Sequence, residues 1–406
     1  MCVACKASKR LCGKPRCPLL VRYHSLLKTV SLVSLHMAGS SPPGFFAGRF
    51  GYPKLNIGPL VPPFYGNTAL LDHPEEWLNF SIDDIVGFRS QLVRGLHRVN
   101  VAEARDGGKL VGRLQELAIA ASPSDVELDF MKRPRGNIVF RDNVQPYGPS
   151  APLRRMEAGT LSVHRDLERV WYDGDLRAHD ALLWLYTEGV EVSRISRALS
   201  AGILGLQAKR KFVPTRWSIT AVDDAIGKHL VQKAKGFPLI NEFRVYESWK
   251  LDNRFMILLV PRSWIYELVE AWYPGSTWNP TGRRIAMFAD WEGYRGRTTY
   301  AAIGGCYYAA RLAIAEALCG EGRQAGALVL REAHPGYILP VGVWNVRENV
   351  RRAMREPYRE FTDLSGALHY IAERLEISLK QWMGKSRLLR YLQTQRVLED
   401  YPGVGG

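Results

Sequence analysis

Four cysteines fall within the first seventeen residues: Cys2, Cys5, Cys12 and Cys17. They follow C-x2-C-x6-C-x4-C in the stretch CVACKASKRLCGKPRCP, and only Cys306 and Cys319 occur elsewhere. A short pair followed by a looser pair offers four thiolates to one tetrahedral zinc ion. The pattern therefore predicts a zinc-binding module over residues 1–24, with zinc as the cofactor. Gly13 and Pro15 supply the turn between the third and fourth sulfurs. The spacing also suits two local disulfides, or free thiols on a frayed end; a reducing compartment favours the zinc. Lys6, Lys9, Arg10, Lys14, Arg16 and Arg22 accompany the cysteines with no acidic residue among them. Those cations offset the net charge of about −2 on a four-thiolate zinc. They equally suit a phosphate backbone.

The whole chain is basic, with a net charge of +15 over 406 residues. Such an excess points to a polyanionic partner, nucleic acid first. A hydrophobic fraction of 46% supports a substantial core, and the length allows two domains. The first residues lack the basic start and apolar run of a signal peptide. Residues 19–35 are apolar but carry Arg22, His24 and Lys28, so they read as an amphipathic helix on the main body, not a membrane span. The expectation is a cytoplasmic protein with no membrane partner.

The predicted fold class is α+β: the N-terminal four-cysteine zinc module, a mixed α/β body, and a C-terminal amphipathic helix with a flexible tail. Residues 38–53 are dense in Gly, Ser and Pro and read as a linker running into an ordered loop. Residues 81–96 predict a helix capped by Ser81. DVELDF, residues 125–130, alternates and predicts a strand. Residues 175–189 and the following EVSRISRALSAGILG predict two helices. FRVYESWKL and RFMILLVP predict a hairpin with Asp252 and Asn253 at the turn. Leu368, Ile371, Leu375, Leu379 and Trp382 mark one apolar helix face. The division drawn from these signals is 1–24, 38–285, 286–392 and 393–406.

The chain ends TQRVLEDYPGVGG, in which Gln395, Leu398 and Tyr401 fit Q-x-x-aliphatic-x-x-aromatic. This tail resembles the peptide that docks onto the DNA sliding clamp PCNA. A 3₁₀ turn puts the aliphatic and aromatic side chains on one side, where they fill an apolar pocket. The usual motif carries a second aromatic next, and here Pro402 stands there.

No H-E-x-x-H, nucleophile elbow, P-loop or dinucleotide fingerprint is present. Three constellations remain. Asp290 and Glu292, beside Arg295 and Arg297, offer alternating carboxylates for Mg²⁺ in phosphodiester cleavage, with Glu332 or Asp223 and Asp224 to complete the set. Salt bridges around a Gly-rich turn would use the same residues. Lys209, Arg210, Lys211, Arg216 and Trp217 set a cationic run beside an aromatic, a pattern for phosphate contact and base stacking. Trp217 as a core residue is the alternative. The loop 46–58 has Gly48, Gly51 and Gly58 for close backbone approach, with Arg49 as a phosphate contact.

Longer blocks resemble a known family. VPTRWSITAVDDAIGK (213–228), GFFAGRFGYPKLNIGPL (44–60), GPSAPL (148–153), ADWEGYRGR (289–297) and LVLREAHPGYILPVGVWNVRENVR (328–351) are similar to the archaeal Nre DNA repair proteins. The cysteine cluster matches that family's zinc-finger-like start. The resemblance implies a role in DNA damage repair and clamp association through Gln395, Leu398 and Tyr401. It supplies no reaction, so enzymatic activity stays open. The expected function is a DNA-binding repair factor with DNA and PCNA as partners; the alternatives are a metal-dependent nuclease or nucleotide-processing enzyme, and an RNA-binding zinc-module protein.

Overall fold

The computed structural model describes residues 5, 9, 11–136, 146–280 and 282–394. The tail motif, Gln395, Leu398 and Tyr401, and the first cysteine, Cys2, lie outside the described residues. The fold is α+β, with two six-stranded mixed sheets in two compact units. The first unit comprises Met1–His229 with Ile338–Asn345, and the second Leu230–Tyr337 with Val346–Gly406.

The first unit contains α1 (Pro18–Val30), β1 (His36–Ser41), β2 (Gly44–Ala47), β3 (Lys54–Val61), α2 (Ile82–Gln91), β4 (Val93–Asn100), α3 (Gly108–Ala118), β5 (Ser124–Phe130) and β6 (Ser150–Ala158). Then come α4 (Arg165–Tyr172), α5 (Ala178–Thr187), α6 (Val192–Ser200) and α7 (Thr215–Ala234), whose last turn belongs to the second unit. Its sheet runs β1-β5-β6-β4-β3-β2, with the single parallel step between β6 and β4. In β5 the predicted alternation is realised: Val126, Leu128 and Phe130 are buried and the residues between them face outward. Ser81 caps α2 with a reciprocal capping box to Asp84, but the helix stops at Gln91 because the chain enters β4.

The expected linker 38–53 is instead two strands and a turn. Its small residues serve close packing: a Cβ on Gly39 would overlap the Pro62 carbonyl oxygen. Gly58 serves the same purpose and not ligand approach, since a Cβ there would overlap the Gly95 carbonyl oxygen of the neighbouring β4.

The second unit contains β7 (Phe243–Lys250), β8 (Asn253–Val260), β9 (Tyr266–Trp272), β10 (Ala286–Glu292), α8 (Gly305–Glu321), β11 (Gly326–Ala333), most of α9 (Trp344–Arg355), β12 (Arg359–Phe361), α10 (Leu364–Arg374), α11 (Leu379–Lys385) and α12 (Arg387–Thr394). Its sheet runs β10-β9-β11-β8-β7-β12. Every residue of β9 and β11 is buried, as expected where both faces of a sheet are covered. One face packs Met256, Leu258, Val269, Leu328 and Leu330 against α10–α12. On the other, Tyr266 donates a hydrogen bond to the Tyr307 carbonyl on α8.

The β7–β8 hairpin is present with its turn one residue earlier than expected. Leu251 and Asp252 both have positive φ, the requirement of a two-residue type I′ turn. The expected division at 285/286 falls just before β10, which pairs with β9 from Trp272 opposite Ala286 to Tyr266 opposite Glu292.

The single C-terminal amphipathic helix is three helices. Leu368, Ile371, Leu375 and Trp382 do share one core cluster, yet the helix breaks at Leu375. The buried Glu332 carboxylate accepts from the amides of Glu376 (3.3 Å) and Ile377 (2.8 Å) and so satisfies the broken backbone.

Candidate nucleic-acid interface

In the first unit the turn between β2 and β3 meets the start of α7. The amide of Gly48 donates to the Asn56 carbonyl at 2.8 Å, and that of Lys54 to the Gly51 carbonyl at 2.9 Å. Gly51 holds φ +85°, a conformation that glycine adopts without cost, and a Cβ there would crowd the Arg98 guanidinium. Thr215, at the first residue of α7, accepts from the Ala47 amide at 2.9 Å. This bond fixes the helix start against the hairpin.

The result is an exposed group of aromatic rings among cations. Tyr52 and Trp217 lie 5.3 Å apart, ring centre to ring centre, and are 49% and 46% exposed. Phe50 is 73% exposed, and the Arg49 guanidinium sits 5.0 Å from its ring centre. Arg49, Lys54, Arg98 and Arg216 are exposed. Segments 44–61, 93–100 and 205–222 contain no Asp or Glu. Deeper in the same sheet, Arg94 lies 5.3 Å from the Phe46 ring centre, and burial lowers its pKa to about 10.

The structure thus brings together Arg49, Arg216 and Trp217, and shows Trp217 on the surface. Phe50, Tyr52 and Arg98 complete the group and were not singled out from sequence. The available signal was FGY in a Gly- and Pro-bounded turn, where bulky rings have little core to enter. Lys209 and Lys211 are exposed. Arg210 between them is buried and donates to the carbonyls of Gly205 (2.8 Å), Trp171 (2.7 Å) and Asp173 (3.0 Å), so it braces the chain.

The second unit places the alternating carboxylates with separate partners. Asp290 accepts from Arg297 at 2.6 Å and from the amides of Trp291 (2.9 Å) and Ala302 (2.5 Å). Glu292 is buried and accepts from Arg311 (2.9 Å) and the Trp264 indole (3.0 Å). Glu332 holds the helix break. Asp223 is buried on α7, and Asp224 pairs with Lys228 at 2.7 Å. Arg297 is spent on Asp290 and on the Thr299 and Tyr300 carbonyls, while Arg295 is exposed. Asp290, Glu292 and Glu332 therefore each accept hydrogen bonds from separate partners. Burial opposes ionisation of Asp290, but Arg297 and the two amides prevail and hold its pKa below 3.8. Its contribution to stability is complete at neutral pH and fades as pH falls through the depressed pKa. Asp290→Asn is expected to flatten the acid limb of a stability-versus-pH curve, measured by denaturant melts from pH 2 to 6.

Cys5 is buried, and Cys12 and Cys17 are half-buried. Among the described residues they do not gather into a group of metal donors. Cys17 occupies the N-cap of α1, and nearby Arg16 pairs with Asp83 at the start of α2. Burial raises the pKa of the Cys306 thiol and also that of Cys319, which favours the inert protonated form. No helix among the described residues is long and apolar enough to cross a membrane.

Comparison with known proteins covers almost the whole chain. The family model described as "Archaeal Nre, N-terminal" matches residues 11–279, and "Archaeal Nre, C-terminal" matches residues 292–401. DNA repair protein NreB of Archaeoglobus fulgidus is 42% identical over 390 residues, covering 96% of this chain and 97% of the relative. DNA repair protein NreA of the same organism is 36% identical, covering 94% and 95%. DNA repair protein NreA of Haloferax volcanii is 36% identical, covering 88% and 87%. No solved structure matches the chain. Full-length similarity to three such relatives, with both family models in order along the sequence, means that the chain belongs to the archaeal Nre family.

Proposed function

We propose that the protein is a DNA repair factor that binds DNA with unpaired bases through the face formed by Phe50, Tyr52 and Trp217 and the cations around them. The names of its relatives support the repair role. The observation that carries the binding reading is three exposed rings beside exposed arginines in acid-free segments. Base–aromatic stacking is worth about 1–3 kcal/mol per base, and a flanking guanidinium adds a phosphate contact. Ring stacking needs a base out of the duplex, so the reading specifies single-stranded or distorted DNA over intact duplex. Competition between single-stranded and duplex oligonucleotides at matched salt tests it.

Two finer parts of the proposal concern the chain ends. Cys2, Cys5, Cys12 and Cys17 form a donor set whose chemistry suits zinc, which would tie the terminus into a small structural module. X-ray fluorescence is expected to show zinc that falls in Cys5→Ser/Cys12→Ser. Gln395, Leu398 and Tyr401 would dock on PCNA, keeping the protein near DNA under repair and raising its effective concentration there. Leu398→Ala/Tyr401→Ala is expected to weaken capture by immobilised PCNA; unchanged capture removes the tail from the proposal.

A further inference from the structure

A second constellation in the first unit lies outside the aromatic face. His73 stands between two 3₁₀ turns, Ala69–Asp72 and Pro74–Asn79. Asp72 beside it is clamped by Arg89 (2.6 Å) and Arg197 (3.3 Å), which fixes the chain at this point. Glu75 and Glu76 lie in the first turn of the second 3₁₀ segment, and Glu191 is the N-cap of α6.

Both imidazole nitrogens face carboxylates. Nε2 lies 2.7 Å from a Glu191 oxygen and 3.9 Å from Oε2 of Glu75. Nδ1 lies 3.2 Å from a Glu76 oxygen. The other oxygen of Glu75 accepts from the Ser193 amide at 3.2 Å, which aims Oε2 toward the ring. One nitrogen or oxygen from each of His73, Glu75 and Glu191 lies within 4.8 Å of the others.

We propose that His73, Glu75 and Glu191 bind a divalent transition-metal ion, with Glu76 as the carboxylate that orients the imidazole. A metal-bound histidine characteristically donates its second N–H to a carboxylate, which fixes the tautomer and aims the lone pair. Glu76 occupies that position, and Nε2 then points at the Glu75 and Glu191 oxygens. Bond lengths of about 2.0–2.2 Å put neighbouring donors about 3–3.5 Å apart. The distances of 2.7 and 3.9 Å bracket that spacing, so small side-chain rotations suffice. His73 and Glu75 side chains are 24% and 15% exposed, which leaves room for water to complete the shell.

One imidazole with two carboxylates suits Zn²⁺ or Mn²⁺, and a four-thiolate site strongly prefers the softer zinc. Mn²⁺ therefore probes this site separately from the N-terminal cysteines. Full-length protein is titrated with Mn²⁺ and the free ion is read by electron paramagnetic resonance. One Mn²⁺ per chain is expected, retained in Cys5→Ser/Cys12→Ser and lost in His73→Gln/Glu191→Gln. Glu76→Gln, at an exposed residue outside the coordination shell, is expected to weaken binding about 10–100-fold while thermal unfolding stays at the wild-type temperature. Absence of Mn²⁺ binding by the wild-type chain, or an affinity unchanged in both the Glu76 and the His73/Glu191 variants, overturns the proposal.

Discussion

Arg331→Met is expected to destabilise the second unit by about 3–5 kcal/mol, the cost of leaving a buried charge without its partner. Arg331 is 2% exposed on β11. It donates to Glu270 on β9 at 2.6 Å and to the Asn253 side chain on β8 at 2.9 and 2.6 Å. Its guanidinium also lies 4.7 Å from the Trp272 ring centre. One cation thus joins three adjacent strands of the second sheet. Methionine fills much of the volume but leaves Glu270 desolvated with its carboxylate uncompensated. Removing both charges, as in Arg331→Met/Glu270→Leu, is expected to recover most of the loss, since apolar replacement of a whole buried pair is often near neutral. Denaturant unfolding of both variants checks this. A single-variant loss below about 1 kcal/mol, the range of exposed pairs, would contradict the buried-network account.

Trp217→Ala is expected to lower affinity for single-stranded DNA about 5–150-fold, and adding Tyr52→Ala to lower it further. The range is the worth of about 1–3 kcal/mol per stacked base expressed as a binding ratio. The melting temperature should hold, because both rings are about half exposed and surface substitutions usually stay within about 0.5 kcal/mol. Salt dependence separates the two kinds of contact. Arg216→Gln removes one phosphate partner, so the slope of log affinity against log salt should fall by about 1. Trp217→Ala should leave that slope in place and lower the whole line. A Trp217→Ala variant that unfolds, or one with undiminished affinity measured by fluorescence anisotropy, would contradict the assignment.

Local rules carried the sequence reading where the chain obeys them locally. The alternation in DVELDF sets which side of β5 is buried, and the Ser81 signal marks the start of α2. Boundaries failed where tertiary partners decide. Periodicity runs from Leu368 to Trp382 without a gap, yet Glu332, more than forty positions away, bonds the amides that break the helix. Residues 38–53 look like a linker because glycine and serine are common in turns, but here small residues let strands and loops approach closely.

The candidate face was legible in parts. Arg216 and Trp217 stood out as a cation beside an aromatic, and Arg49 as a cation in a Gly-rich turn. Their union depends on the Ala47–Thr215 hydrogen bond, which spans the unit and leaves no trace in spacing or composition. The carboxylates show the reverse problem. Glu267, Glu270, Glu292 and Glu332 are all buried, and sequence reading treats glutamate as a surface or catalytic group. Glu267 accepts from Ser386 (2.5 Å) and from the amides of Arg387 (2.9 Å) and Leu388 (2.8 Å), so it caps the start of α12.

Photo-crosslinking tests the binding face most directly. A short single-stranded oligonucleotide carrying bromodeoxyuridine is irradiated with the full-length protein, and the modified peptides are mapped. The account predicts adducts on Trp217, Tyr52 or Phe50, suppressed by excess single-stranded competitor more readily than by duplex. Adducts confined to residues 230–337, with none on those three rings, would contradict it.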